Sequence, residues 1–321
     1  MLSGLDLFCG AGGSSRGAKM AGIEMVAAID SWDLAEETYR DNFPRARFYR
    51  EQCEKLDPSA IKRQIGAIDI LIASPECTSH TCAKGASPRS ERSRQTAFEV
   101  IRYAEAFRPR WLVVENVVHM RSWRRYETWL NAITNLGYHT RIQVLNAADF
   151  GVPQTRRRLI LTGDLEGLPP VVKCNSGPRA CVSELIDAQS GFRYTSLQKK
   201  GRAKPTLTRA RRAIRAVGRQ EPFLIVYYGS DGAGGWQRID RPLRTITTVD
   251  RFGYVRPSVN GTGHELRMLQ VPELKRAMGF PEKHIFERGT RRDKIKLLGN
   301  AVCPPVMKKV IEVLTRSAIS R

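Results

Sequence analysis

In the stretch DILIASPECTSH, residues 69–80, an apolar run stops at Ser74-Pro75 and is followed at once by a carboxylate, Glu76, and a thiol, Cys77. Free cysteine is most often a small buried hydrophobe. A thiol just past an apolar strand also stands where nucleophilic chemistry would be placed, because ligands of open parallel sheets bind beyond the carboxyl ends of the strands. VVENVV repeats the pattern with Glu115 and Asn116. A carboxyl partly withdrawn from water there has its pKa raised, which suits a proton donor near neutral pH; a helix cap is the plainer alternative. QTRRR, Gln154 to Arg158, opens another apolar strand. Alternation sends Arg156 and Arg158 to one face and Arg157 to the other. Two guanidiniums on one face suit a phosphate or a carbonyl oxygen, unless the run is simply solvated. DLFCGAGG puts glycines directly after a strand, where backbone amides can approach a ligand. Asp30 follows seventeen residues after Gly13, at the end of the next strand, where an acid can hold a ribose diol. A glycine-rich turn alone is often no more than a tight turn.

Such strand ends need a sheet to align them. Residues 1–165 alternate strands (SGLDLF, EMVAAID, AIDILIAS, RWLVVENV, HTRIQVLNA, RRLILTG) with helices (SSRGAKMAG, SWDLAEETYRDNF, RQTAFEVIRYAEAF, YETWLNAITNLG). That alternation predicts an α/β fold with a doubly wound, mostly parallel sheet covered on both faces. Near residue 165 the texture changes to Gly, Pro and Arg with weak periodicity. Between Lys199 and Arg219 there are nine Lys/Arg and no acid. PFLIVYYG and PLRTITTV read as strands around a loop, SDGAGGW; from about residue 264 helices return, in ELRMLQVPELKRAMG and PPVMKKVIEVLTRSAI. The expected organisation is a domain over 1–165, completed by 285–321, and a second, smaller domain over 166–284.

Lys+Arg 53 against Asp+Glu 32 gives a net charge of +21. Such an excess favours a polyanionic partner, nucleic acid first. No apolar run reaches the roughly 18 residues that span a bilayer, and MLSGLDLFCGAGG has no basic leader before a long apolar core. The seven cysteines are odd in number and irregular in spacing, with no paired CxxC set, so no metal site is expected. Reduced thiols in a cytoplasm fit.

Taken together these motifs resemble the C5-cytosine DNA methyltransferases. DLFCGAGG is similar to the first cofactor motif of that family, SPEC to its nucleophile motif (usually Pro-Pro-Cys), ENV to its acid motif and QTRRR to its Gln-x-Arg-x-Arg. RMLQVPELKRAMGFP and GNAVCPP resemble the ninth and tenth motifs. The likeness covers 1–165 and 236–310. It implies a methyltransferase fold with a target-recognition domain, S-adenosylmethionine as cofactor, and double-stranded DNA as substrate. The expected enzyme is a monomer at the nucleoid in the cytoplasm, with a cognate restriction endonuclease as partner where it belongs to a restriction–modification pair. Cys77 would be the nucleophile, Glu115 the acid, and Arg156 and Arg158 the holders of the cytosine oxygen and the catalytic loop. Phe8, Gly10, Gly12, Asp30, Ser31, Pro75 and Asn300 would line the cofactor pocket. Asn116 would buttress the loop, with Gln154 beside the substrate. Ser93, Arg94, Arg209, Arg211 and Arg212 would hold DNA.

The sequence departs from the family at several places, among them the nucleophile loop, where Thr78-Ser79-His80-Thr81 stands for the usual Gln-x-Phe-Ser. Glu76 replaces the usual proline, and Ser31 stands where an adenine-stacking aromatic is common. Gln52 or a near neighbour takes the place of the third motif's Asp, and Cys303 interrupts the final motif. Methylation of tRNA by the same chemistry, and a non-catalytic DNA-binding relic spoiled by Glu76, are the alternative functions. Intact Cys77, Glu115, Arg156 and Arg158 argue against the relic.

Overall fold

The computed structural model describes residues 1–75, 91–174, 177–187, 191–228, 232–259, 261 and 263–319, with the backbone alone for 91–95 and 317–319. Glu76 and Cys77 lie outside the described residues.

The first part of the chain runs β1 (Ser3–Leu7), α1 (Gly13–Met20), β2 (Glu24–Ile29), α2 (Asp33–Asn42), β3 (Arg47–Tyr49), α3 (Pro58–Ile65), β4 (Ile70–Ala73), α4 (Glu91–Phe107), β5 (Trp111–Asn116), α5 (Tyr126–Asn135), β6 (His139–Asn146) and β7 (Arg157–Asp164). The second runs β8 (Thr195–Ser196), α6 (Lys204–Val217), β9 (Phe223–Val226), β10 (Trp236–Arg238), β11 (Phe252–Pro257), β12 (His264–Met268), α7 (Val271–Ala277), α8 (Arg291–Asn300) and α9 (Pro304–Ile319).

Seven strands form one sheet in the order β3-β2-β1-β4-β5-β7-β6. Its first five strands are parallel, and β7 enters antiparallel between β5 and β6. β4 is buried along its whole length, as a strand covered on both faces must be, which is why it reads as an unbroken apolar run. The strand order reverses between β1 and β4, so their carboxyl ends flank the crevice where a doubly wound sheet takes its ligand.

Strand alternation divides the core. Leu5, Leu71, Leu112 and Val114 face one way, with Val100 and Tyr103 of α4 and Trp129 of α5. Ile70, Ile72, Trp111 and Val113 face the other, with Leu297 of α8 and Met307 of α9. Here α1 and α9 cross closely. A Cβ on Gly13 would fall 2.2 Å from the Val302 carbonyl oxygen and one on Gly17 2.6 Å from Met307 Cβ, so the last glycine of GAGG serves helix packing.

The remaining strands form an antiparallel sheet, β10-β9-β11-β12-β8. Leu224 and Val226 of β9 and Phe252 and Tyr254 of β11 join the Ile70–Val113 side of the main core. Phe223, Ile225 and Val255 face outward, under Ala210 and Ala213 of α6. The basic run is thus an amphipathic helix on the outer face of this sheet.

Three expectations are corrected. PLRTITTV forms no ladder beyond a single bridge between Leu243 and Gln154, because side chains claim its backbone: Ile246 donates its amide to Gln154 Oε1 and its carbonyl accepts from Arg156. Residues 264–268 are a strand, with Arg267 neutralised inside by Glu273 at 2.6 Å, so the helix begins only at Val271. The sequence reading also passed over β3 and α3; Asp57, accepting from the Ser59 amide, and Pro58 start the latter.

Candidate active site

Beyond the carboxyl ends of β1, β2, β4 and β5 lies a cavity of about 530 Å³, lined among others by Phe8, Gly10, Asp30, Ser31, Pro75, Glu115 and Asn300. The turn after β1 builds one wall. Phe8, Gly10 and Gly12 all have positive φ, at 59°, 51° and 76°. For Phe8, which is no glycine, this is a strained conformation of the kind concentrated at ligand sites.

Asp30 fixes that turn. Its Oδ2 accepts from the Gly10 amide at 2.9 Å and its Oδ1 from the Trp32 amide at 3.0 Å. Burial raises its pKa and these amides oppose the rise. Each oxygen thus takes one backbone amide and keeps a further lone pair, and Asp30 is among the residues that line the cavity. Gly12 is corrected: it is not among the cavity-lining residues, and it begins α1 where a Cβ would meet the Phe43 ring at 2.6 Å. The cavity's aromatic at this place is Trp32, one residue past Ser31, with the Lys296 ammonium 4.3 Å from its ring centroid. Sequence reading missed it by that single step; the signal was the indole two residues past Asp30. Gln52 also lines the cavity, and its Oε1 is buried with no hydrogen-bond partner among the described residues.

At the far end Glu115 closes β5. Arg158 Nε lies 2.9 Å from Glu115 Oε1. Burial pushes the Glu115 carboxyl up, while Arg158 and then Arg156 pull it down, with burial prevailing. Asn116 donates from Nδ2 to the Pro75 carbonyl at 3.1 Å and accepts the Val117 amide on Oδ1 at 2.8 Å. It ties the last described residue before Glu76 to the end of the neighbouring strand.

The three arginines of QTRRR part company. Arg157 is exposed, while Arg156 and Arg158 share the opposite face. Arg156 is buried, and its guanidinium donates to the carbonyls of Ile246, Gly299 and Ala301 at 3.1, 2.9 and 2.9 Å. It welds β7 to the end of α8, whereas Arg158 is the arginine that reaches Glu115. Gln154 is fully buried, donating to the Ala277 carbonyl at 3.0 Å and accepting from Ile246; it is a structural bolt, which corrects its place beside the substrate. Cys303 is buried nearby with its thiol pushed up to about 11, so it is protonated at neutral pH and inert.

Ser93 and Arg94 fall in the first turn of α4, with side chains outside the described residues. Arg211 and Arg212 are exposed on α6. Arg209 is partly covered: its guanidinium stacks 5.5 Å from the Tyr227 ring centroid and its stem fills the space over Gly235.

Fold and cavity together are those of an α/β enzyme working at the switch point of a doubly wound sheet. The chain belongs to the C-5 cytosine-specific DNA methylases, whose family profile matches residues 2–316. Such enzymes use a methyl donor and act on DNA. The chain is 28% identical over 308 residues to the type II methyltransferase M.HindV of Haemophilus influenzae, covering 93% of this chain and 91% of that one. It is 31% identical over 200 residues to M.DdeI of Desulfomicrobium norvegicum, covering 60% of this chain but only 46% of the relative. In fold it is similar to the Dnmt2 methyltransferase of S. pombe, with a TM-score of 0.71, 19% identity and 99% of each chain covered. No helix among the described residues is long and apolar enough to cross a membrane.

Proposed function

We propose that this chain transfers a methyl group from S-adenosylmethionine to carbon 5 of a cytosine flipped out of double-stranded DNA, through a covalent bond between Cys77 and carbon 6 of the base. The observation that carries the reading is Glu115, which lines the same cavity as the glycine turn and Trp32 and is held by Arg158 at 2.9 Å. One cavity then offers an acid–cation pair for a base beside a nucleoside-type pocket.

The residues fit the donor. Gln52 presents a buried acceptor that suits an adenine amino group, and the Trp32 indole presents an aromatic face. Phe8, Gly10, Ser31, Pro75 and Asn300 complete the lining. When bound, S-adenosylmethionine supplies an electrophilic methyl group on a sulfonium.

The chain's own residues prepare the base. Carbon 5 of cytosine is a poor nucleophile until the Cys77 thiolate adds to carbon 6 and turns the ring into an enamine. Glu115, its pKa raised by burial, donates a proton to ring nitrogen 3 and drains the developing charge. Arg158 holds Glu115 and offers its remaining donors to the exocyclic oxygen. Asn116 keeps the nucleophile loop anchored at Pro75. Loss of the carbon 5 proton then expels Cys77. Because the base must leave the stack to reach such a cavity, flipping is part of the reading.

Residues 166–284 would form the target-recognition part, with Arg211 and Arg212 on phosphates and Ser93 and Arg94 on the DNA backbone. The reading extends to a cytoplasmic monomer, in keeping with the irregular cysteines. The type II names of the relatives point to a restriction endonuclease as cognate partner. Incubation with tritiated S-adenosylmethionine tests the reading: label should enter duplex DNA at cytosine and not tRNA. Label in tRNA alone would move the substrate to RNA, and label in neither would support the relic.

A further inference from the structure

QTRRR leaves one arginine without a task. Arg156 is buried among three carbonyls and Arg158 reaches Glu115. Arg157 is exposed, and its guanidinium has no hydrogen-bond or ion-pair partner among the described residues. Alternation along β7 decides where it points. Leu159 and Leu161 lie on the side of the sheet covered by α4 and α5, so Arg157 lies on that side too. Ile160 shares the other side with the strands of the small domain.

The α4–α5 side carries further cations at the same end of the sheet. β5 ends at Asn116, and a 3₁₀ turn, Val118–Ser122, leads from it to α5. The turn packs against β7. Met120 and Trp123 are buried and hold it down; Trp123 meets the Phe98 ring of α4 edge-on at 5.6 Å, and Arg125 stacks over the same ring at 4.4 Å. Arg121 and Arg124 are left exposed on this anchored frame, and residues 117–126 include no acid. Glu115 lines the cavity and Arg158, which holds it, adjoins Arg157 in the chain. These guanidiniums therefore stand at the mouth of the cavity, on the lip opposite the small domain. Exposed arginines on a rigid frame, with no acid beside them, suit phosphates, which the guanidinium fork binds in two contacts. A base that leaves the stack to reach Glu115 leaves its flanking phosphates outside the mouth. We propose that Arg157, with Arg121 and Arg124, grips the DNA backbone on this lip and holds the duplex from the side that the small domain does not cover. This rests on the DNA reading above.

The test uses the full chain with plasmid DNA and tritiated S-adenosylmethionine, and duplex binding measured against salt. Arg157→Gln should raise KM for DNA roughly fivefold at a kcat within about twofold of wild type, the pattern of lost uniform binding. Arg124→Gln combined with Arg157→Gln should lower the log–log salt slope by about 1.8, at about 0.9 for each phosphate contact. Arg157→Lys, which keeps the charge, should keep most of the slope. Arg45→Gln, exposed just before the amino end of β3, should leave it unchanged. Melting temperatures should match wild type, because these side chains are exposed. A kcat loss at unchanged KM would make Arg157 a support for Arg158, and an unchanged slope in the double variant, or an equal loss in Arg45→Gln, would make the lip merely solvated. Each of these results would overturn the assignment while leaving the DNA reading intact, as would a defect seen with tRNA and not with duplex. A wild type that labels no DNA would overturn both.

Discussion

Glu115 and Arg158 meet at 2.9 Å, the carboxylate ending β5 and the guanidinium entering from the antiparallel strand β7 beside it. Two opposed effects share this contact: burial favours the neutral acid and Arg158 favours the charged one. The net rise keeps a proton available for the base, and the arginine limits the rise so that the proton can still leave.

Removal of the guanidinium separates the two effects. In Arg158→Ala the Glu115 pKa should climb further, so the alkaline limb of the kcat profile should move to higher pH. The plateau should meanwhile fall by about 100-fold as stabilisation of the base oxygen is lost. A plateau within threefold of wild type, or a limb that stays in place, would remove Arg158 from the chemistry.

Arg156 should behave differently although it lies two residues away. Arg156→Ala strands three buried carbonyls and should cost about 3 kcal/mol of unfolding free energy. Because Arg156 also pulls the Glu115 pKa down, after Arg158, the alkaline limb should rise in whatever enzyme remains folded, by less than in Arg158→Ala. Denaturant titration with pH–rate profiles checks it; a variant of unchanged stability whose plateau rate falls as far as that of Arg158→Ala would return Arg156 to the substrate.

His284 gives a pH test of the frame. Its Nδ1 accepts from Arg16 Nε at 3.0 Å, so its Nε2 carries the proton and donates to the Ala11 carbonyl in the cofactor turn at 2.9 Å. Burial and Arg16 push its pKa down from 6.5 to about 3. A depressed histidine favours folding above pH 6.5, and that contribution is lost as pH falls toward 3, where the unfolded chain binds the extra proton. The loss is on the order of 5 kcal/mol across that window. His284→Gln should be less stable than wild type near pH 7, with the gap narrowing toward pH 4. A gap constant in pH would contradict the neutral, buried ring.

Replacement of Arg211 and Arg215 by Gln on the outer face of α6 should weaken DNA binding and lower the log–log salt slope by about 0.9 per lost phosphate contact. An unchanged slope would make this helix face merely solvated.

Much of the site was legible because central parallel strands are unbroken apolar runs, and the residue after each run sits at the ligand crevice. Glu115, Asn116 and the turn after Leu7 follow from that rule. What stayed hidden depends on partners distant in sequence. Asp30 looks like a free acid until the Gly10 and Trp32 amides are seen on it. Arg156 looks like its neighbour Arg158 until three carbonyls, two of them from near residue 300, surround it. Residues 264–268 read from the sequence as part of the helix that follows them, and it is the Glu273 partner that lets Arg267 sit buried on a strand.

The central claim is that Cys77 bonds to the base. A duplex carrying 5-fluorocytosine at the target position tests it most directly, because fluorine cannot leave as a cation and the adduct cannot resolve. With S-adenosylmethionine present, the wild type should give a complex that survives denaturation, and Cys77→Ala should give none. A trapped complex that persists in Cys77→Ala, or a wild type that methylates DNA yet never traps, would contradict the account.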